Sequence, residues 1–254
     1  MKDQKKRLSH LPDVTLILTG YNEGSILKNN LETIKRILDR MKYSWEIILI
    51  DDKSSDNTPE IFVSFAKKYK NISVYQHSEN IGRGGSISEG IRRAKGDIVG
   101  YLDTDLELSP IHIPEFVEAI QSGNDGAFGM RSYSFPQDTI FRVLLSIGYK
   151  KIVQYFLSIQ VEDSATGFKF FKRKSILPIL EMVKDSRWFF DTEIVARCIL
   201  ANHSIIHIPV TYKKNPLKKS SVHFIKDTID YLILLWNFRR QLIHEGKITS
   251  SFLF

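Results

Sequence analysis

Asp97-Ile98-Val99-Gly100-Tyr101-Leu102-Asp103-Thr104-Asp105 is an apolar run that ends in two carboxylates one residue apart. The spacing predicts a buried β-strand that delivers Asp103 and Asp105 to its carboxyl end. Carboxylates this close repel each other and raise each other's pKa, and a bound divalent cation relieves the repulsion. Mg²⁺ or Mn²⁺ held by one or two carboxylates shares its remaining positions with substrate phosphates, which points to a nucleoside-diphosphate site. A solvated acidic turn explains the tripeptide more simply when it stands alone, so the surrounding pattern decides.

Working outward, residues 14–18 (Val-Thr-Leu-Ile-Leu) read as a first buried strand, followed by a turn over 21–25. A helix is expected over 26–41 from the spacing of Ile26, Leu27, Leu31, Ile34, Ile37 and Leu38. Residues 46–50 form a second apolar strand, cut off by Asp51-Asp52-Lys53-Ser54-Ser55-Asp56. Thr58 as N-cap and Pro59 at the first helical position start another helix. Residues 72–75 are a short third strand, 86–94 a helix, and 97–102 the fourth strand. Strands alternating with helices across short connections imply an α/β, doubly wound, mostly parallel sheet. Ligands of such sheets sit outside the carboxyl ends of the strands, at the topological switch point. Three polar clusters, 19–25, 51–56 and 103–107, fall there together.

Beyond residue 110 the pattern predicts a helix over 114–121 and a strand over 126–130. A long apolar segment over 140–159 carries Arg142, Lys150 and Lys151. Strands at 168–171 and 205–210 flank a helix at 192–201. With no repeat, low-complexity stretch or clean linker, a single domain is expected over 13–245, between tails at 1–12 and 246–254.

A net charge of +7 favours an anionic partner, either nucleotide phosphates or an anionic membrane surface. Nucleic acid ranks last, because no zinc pattern, helix-turn-helix signature or aromatic-studded basic motif accompanies the charge. The single cysteine, Cys198, excludes an internal disulfide. The polar, basic N-terminus lacks a signal-peptide core. The longest unbroken apolar run, residues 231–236, falls far short of the roughly 20 residues that span a bilayer. A cytoplasmic protein is expected, with peripheral contact at the cytoplasmic membrane face.

Other clusters remain open on spacing alone. Asp51-Asp52 suits either a carboxylate bonding a nucleobase or ribose, or a turn and helix cap. Asn80-Ile81-Gly82-Arg83-Gly84-Gly85-Ser86 fails the dinucleotide fingerprint, since position 87 is Ile87, and no Walker lysine pattern exists. A flexible glycine loop is left, with Arg83 able to meet phosphate oxygens, or equally a tight turn. Trp188-Phe189-Phe190-Asp191-Thr192-Glu193 puts two carboxylates at a helix start. They serve either the helix dipole or an acceptor-positioning site beside an aromatic wall. His77, His112, His203, His207 and His244 show no metal-ligand spacing and read as structural. No Ser or Cys nucleophile sits beside a plausible base.

Taken together these motifs resemble the family 2 glycosyltransferases, most closely the dolichyl-phosphate (polyprenyl-phosphate) hexosyltransferases. The resemblance runs from Val14 to Arg240. It rests on Gly20-Tyr21-Asn22-Glu23, Ile50-Asp51-Asp52-Lys53-Ser54-Ser55-Asp56-Asn57-Thr58, Asn80-Ile81-Gly82-Arg83-Gly84 and Ala94-Lys95-Gly96-Asp97 with Asp103-Thr104-Asp105. Gly129-Met130-Arg131-Ser132, Asp163-Ser164-Ala165-Thr166-Gly167-Phe168-Lys169 and Phe190-Asp191-Thr192-Glu193 complete it.

The resemblance implies a GT-A fold, a nucleotide-sugar donor (UDP-glucose or GDP-mannose type), inversion at the anomeric carbon and a polyprenyl or dolichyl phosphate acceptor. Glu23 and Asp52, with Asp51 beside them, would hold the nucleoside, and Thr19 and Tyr21 join the donor-binding residues. Asp103 and Asp105 would hold the diphosphate through Mg²⁺ or Mn²⁺, with Asp105 counted as catalytic. Arg83 and His223, the latter with Lys218 or Lys219, would cover the phosphates. Arg131 and Lys169 match positions suited to an acceptor phosphate. A phosphate acceptor needs no general base, whereas a hydroxyl acceptor would need one, from Asp191 or Glu193. The family usually has proline at Thr19, glycine at Lys53 and lysine at Arg83. The segment 163–171, followed by 188–191, is closer to glucosyl than to mannosyl members. Two apolar stretches with basic residues, 140–159 and 224–243 (Lys226, Arg239, Arg240), suit either a lipid interface or packing on the sheet. The alternatives are transfer to a sugar hydroxyl of a surface glycan, or a non-catalytic nucleotide-sugar-binding protein.

Overall fold

In a computed structural model, residues 11–133, 139–213 and 224–249 are described. Seven strands form one sheet: β1 (Val14–Gly20), β2 (Trp45–Asp51), β3 (Ile72–Gln76), β4 (Ile98–Leu102), β5 (Gly126–Tyr133), β6 (Phe168–Lys172) and β7 (Ile205–Tyr212). Their order is β3-β2-β1-β4-β6-β5-β7. Neighbouring strands are parallel throughout except at β6, which runs antiparallel to both β4 and β5. The α/β, mostly parallel sheet expected from the alternation is therefore present. The chain turns from β1 to β2 and β3 on one side and to β4 on the other. This makes the β1/β4 boundary the switch point, where a crevice opens at the strands' carboxyl ends.

Eight α-helices are described: α1 (Gly24–Leu38), α2 (Thr58–Ala66), α3 (Arg83–Arg93), α4 (Ile113–Gln121), α5 (Thr139–Leu157), α6 (Arg173–Leu180), α7 (Phe190–Leu200) and α8 (Phe224–His244). Because helices cover both faces, the central strands are apolar on both. Leu16, Leu18, Ile47, Leu49, Phe168 and Phe170 pack under α1, α2 and α4. Ile17, Ile48, Ile50, Val99, Tyr101 and Phe171 pack with buried residues of α3, α6, α7 and α8. This explains why β1, β2 and β4 read as unbroken hydrophobic runs.

Three boundaries differ from the sequence reading in ways that bear on the site. Helix α3 starts at Arg83 rather than at 86, so Gly84 and Gly85 lie in its first turn instead of in a flexible loop. Gly82 precedes it at φ +89°, a left-handed conformation open to glycine at little cost. Helix α7 starts at Phe190 rather than 192, which places Asp191 and Glu193 inside a buried first turn. Helix α2 takes in Thr58, and Asn57 rather than Thr58 is its N-cap. The Thr58 hydroxyl instead accepts a hydrogen bond from the Glu23 amide at 2.9 Å.

Candidate active site

The loops after β1 and β2 are tied to each other. Ser54 Oγ accepts from the Asn22 amide (3.0 Å), Asn22 Oδ1 accepts from the Ser55 amide (2.8 Å), and Asp56 Oδ2 accepts from the Gly24 amide (2.9 Å). Asn22 and Lys53 both take left-handed conformations, at φ 57° and 65°. Lys53 therefore adopts the backbone that glycine adopts freely, and the turn survives the substitution. Tyr21 is exposed, and the Thr19 carbonyl accepts a 3.3 Å bond from the Thr104 hydroxyl, which joins this loop to the Asp103 loop.

The two adjacent aspartates separate in role. Asp52 is held by its own surroundings: Oδ1 accepts from the Ile81 amide (2.9 Å) and lies 2.8 Å from His77 Nδ1, while Oδ2 accepts from the Gly82 amide (2.9 Å). The Asp51 carboxylate accepts from the Ser54 amide at 3.3 and 3.4 Å, near the limit of a useful hydrogen bond. Asp52 thus organises the loop, and Asp51 is the carboxylate with acceptor capacity left. Spacing gives His77 no role, because its partners are 25 and 12 residues away in sequence.

At the end of β4, Asp103 Oδ1 accepts a hydrogen bond from Arg83 Nε at 2.8 Å, and Arg83 Nη2 lies 2.7 Å from the same oxygen as an ion pair. Burial raises the Asp103 pKa; Arg83 opposes this, while Asp105 and Asp191 add to the rise. Gly167 closes the other side, where a Cβ would stand 1.9 Å from Asp103 Oδ2. Asp105 is nearly buried, and its Oδ1 accepts from the Glu107 amide at 3.0 Å. Among the described residues no group of three or more His, Cys, Asp or Glu could hold a metal by itself. The pair nevertheless fits Mg²⁺ or Mn²⁺, which take one or two carboxylates and complete their shell with phosphate and water. The raised Asp103 marks a carboxylate whose charge a cation would stabilise.

Asp191 lies at the centre of a buried charge cluster. Oδ1 accepts from the Tyr101 hydroxyl (2.6 Å) and from Lys169 Nζ (2.8 Å), and Oδ2 from Arg83 Nη1 (2.5 Å). Burial alone would raise its pKa, but Arg83 and Lys169 outweigh burial and hold it below the usual carboxylate value. Lys169 is fully buried and also donates to the Thr166 carbonyl. It thus faces Asp191, where the sequence reading set it against an acceptor phosphate. Arg131 forms a two-point pair with Asp163 (2.8 and 2.8 Å) and keeps part of its side chain exposed. Thr166 donates to the Asp163 carbonyl, so Arg131, Asp163, Thr166, Lys169 and Asp191 form one connected network.

Glu193 is not brought into this cluster. Its carboxylate accepts from the Lys184 and Asp185 amides (3.1 and 2.9 Å) and from Arg197 Nε (2.9 Å), and Arg197 in turn reaches Glu245. Two residues along a helix turn a side chain to the far side, which separates Glu193 from Asp191. His223, Lys218 and Lys219 lie outside the described residues.

Residues 15–179 match the profile of Glycosyl transferase family 2. The chain belongs to this family of transferases. It is 30% identical over 225 residues to glycosyltransferase AglD of Haloferax volcanii, an alignment covering 85% of this chain but only 35% of the relative. It is 26% identical over 243 residues to dolichyl-phosphate beta-glucosyltransferase of Saccharomyces cerevisiae, covering 85% of this chain and 73% of that one. Among solved structures, glucosyl-3-phosphoglycerate synthase from Mycobacterium tuberculosis, in complex with Mg²⁺ and UDP, superposes with a TM-score of 0.64 at 14% identity. That superposition covers 94% of this chain and 82% of that one. Mannosyltransferase PcManGT from Pyrobaculum calidifontis, in complex with GDP-Man and Mn²⁺, gives 0.60 at 16%, covering 92% and 65%. The GT-A fold expected from the resemblance is present.

Proposed function

We propose that the protein transfers a hexose, with inversion, from a nucleotide sugar to a polyprenyl or dolichyl phosphate, using Mg²⁺ or Mn²⁺. The observation that carries this reading is the state of Asp191. A general base must be free to take a proton and needs a pKa near the working pH. Asp191 accepts from two cations and a phenol and is held below the ordinary carboxylate value. Glu193 is bound to Arg197 and two amides on the opposite side of the helix. Neither is placed to deprotonate a sugar hydroxyl, whereas a phosphate acceptor arrives already ionised and needs no base.

In this scheme Asp51 and Glu23 receive the nucleoside. Asp103 and Asp105 hold the cation, which stabilises charge on the departing nucleoside diphosphate as a Lewis acid. Arg83 adds positive charge beside that leaving group, and Arg131, at the exposed end of its network, receives the acceptor phosphate. The dolichyl-phosphate activity named for the yeast relative supports the acceptor class. The nucleotides and cations named for the two solved structures support the donor and metal.

Contact with a lipid surface fits the same reading. Among the described residues no helix is long and apolar enough to cross a membrane. Helix α8 nevertheless exposes Ile229, Ile233 and Trp236, at positions i, i+4 and i+7, and α5 exposes Ile152 and Tyr155. Arg239, grouped with the basic residues from sequence, is buried and donates to the Phe156 and Thr249 carbonyls, which leaves Arg240 on the outer surface. The two helices meet through Tyr149 and Tyr231, whose rings are 4.6 Å apart and whose hydroxyls lie 2.7 and 3.1 Å from Thr192 Oγ1. The apolar face is thereby joined to the residue next to Asp191.

Nucleoside diphosphate release from UDP-glucose and GDP-mannose, each with and without a short polyprenyl phosphate, tests the proposal. Release should require the lipid phosphate and a divalent cation, and should vanish in Asp105→Ala. Release onto a glycan hydroxyl with no lipid phosphate present would overturn the acceptor assignment.

A further inference from the structure

His77 stands between two carboxylates: Nδ1 is 2.8 Å from Asp52 Oδ1 and Nε2 is 2.8 Å from Glu89 Oε2, with the side chain only 9% exposed. A neutral imidazole carries one N–H and can donate to only one of them, leaving a lone pair against the other oxygen. The imidazolium satisfies both. Its backbone is also fixed, since the His77 amide donates to the Asp51 carbonyl at 2.9 Å. Asp52 in turn accepts from the Ile81 and Gly82 amides, immediately before α3, and Arg83 reaches Asp103 from the next position. Glu89 lies 6 residues further along the same helix, where it also pairs with Arg93 at 2.6 Å. One ring therefore links the β2 loop to Glu89 of α3 and, through Asp52, to the segment just before that helix.

We propose that His77 is a positioning residue for donor binding: as an imidazolium it clamps Asp52 to Glu89, sets the start of α3, and so fixes Arg83 at Asp103. This rests on the nucleotide-sugar reading above. The charged groups facing the ring are Asp52 from the β2 loop and Glu89 from α3, with Arg93 behind Glu89 and stacked on Tyr75 of β3. Burial lowers the His77 pKa, but the two carboxylates outweigh burial and raise it. Glu89 moves the opposite way: burial raises its pKa, and His77 and Arg93 bring it below the ordinary value. With both carboxylates ionised, the clamp is therefore complete below the raised His77 midpoint and opens as pH rises through it.

Two measurements on the whole chain decide the matter. Long-range ¹H–¹⁵N NMR of the ring, read on the protein alone, should show both nitrogens protonated with a midpoint above the ordinary histidine value of about 6.5. A lower midpoint overturns the proposal whatever the donor is. In steady-state assays the KM for the nucleotide sugar should climb with pH through the same midpoint. His77→Gln, which reaches one carboxylate only, should raise that KM about tenfold with a smaller change in kcat, and should flatten the climb. Glu89→Gln should move the climb to lower pH while circular dichroism stays native. A wild-type KM and pH profile in His77→Gln, or a loss confined to kcat, would overturn the positioning role. Failure of both nucleotide sugars to bind the wild type would instead remove the donor reading and leave the ring's protonation as measured.

Discussion

At residue scale, Asp191 is held by two cations and a phenol, and its loss is expected to be felt in stability. Asp191→Asn removes the carboxylate that pairs Lys169 in a buried cluster and leaves Arg83 with Asp103 alone, a change that costs about 3–5 kcal/mol when one partner of such a pair is removed. Because the folded-state pKa of Asp191 is depressed, its contribution is fully present above the unfolded value of about 4 and is lost as pH falls through the folded value. Urea denaturation should show the deficit of Asp191→Asn at neutral pH and its shrinkage below about pH 4. Lys53 works in the other direction. A side chain in the left-handed region costs about 1–2 kcal/mol, while glycine loses about 0.5–1 kcal/mol more in unfolded-chain entropy. Lys53→Gly should therefore stabilise the protein by up to about 1 kcal/mol in the same denaturation assay. Gly167→Ala would drive a methyl into Asp103 Oδ2 and displace the carboxylate proposed to hold the metal. A misplacement of that order should cost about 100-fold in metal-dependent turnover, with the circular dichroism spectrum retained.

At the scale of elements, the starts of α3 and α7 matter more than their middles. Helix α3 begins at Arg83 because Gly82 can turn with positive φ and Asp52 satisfies the Ile81 and Gly82 amides. Helix α7 begins at Phe190, whose amide donates to Asp185 Oδ1 at 2.9 Å, and this aims Asp191 at the sheet and Glu193 at Arg197. Helix α8 is apolar on two sides. Leu235, Phe238 and Leu242 enter the core, while Ile229, Ile233 and Trp236 remain outside. Burying one such side chain in a bilayer surface is worth about 1.5–3 kcal/mol, so Ile233→Asp should weaken sedimentation with vesicles by about tenfold or more. Turnover on a water-soluble short-chain acceptor should be spared.

At the scale of the molecule, the sheet gathers three loops at the β1/β4 switch point and sets α5 and α8 beside it. On the proposed lipid-surface contact, a net charge of +7 would add a long-range attraction to anionic lipid. Binding to anionic vesicles should accordingly fall between low salt and about 0.15 M, where screening acts over about 8 Å, and leave a salt-resistant apolar remainder. Removing divalent cations with EDTA should abolish nucleoside diphosphate release, and Mg²⁺ or Mn²⁺ should restore it. Activity undiminished by the chelator would exclude Asp103 and Asp105 as a metal pair.

The sequence alone determined the layer architecture, the parallel strands and the three polar clusters at their carboxyl ends. These follow from local periodicity: strands buried on both faces are continuously apolar, and helices repeat at their own spacing. It could not distinguish Asp51 from Asp52, or Asp191 from Glu193, because adjacent or near-adjacent carboxylates look alike until their partners are known. Those partners come from distant segments: Gly82 is 30 residues from Asp52, and Arg83 is 108 from Asp191. His77 carried no local signal, since both of its carboxylates arrive only when β2, β3 and α3 pack together. Which carboxylate is free, which is clamped and which is paired was decided by the tertiary structure, because a charge's role depends on what surrounds it in space.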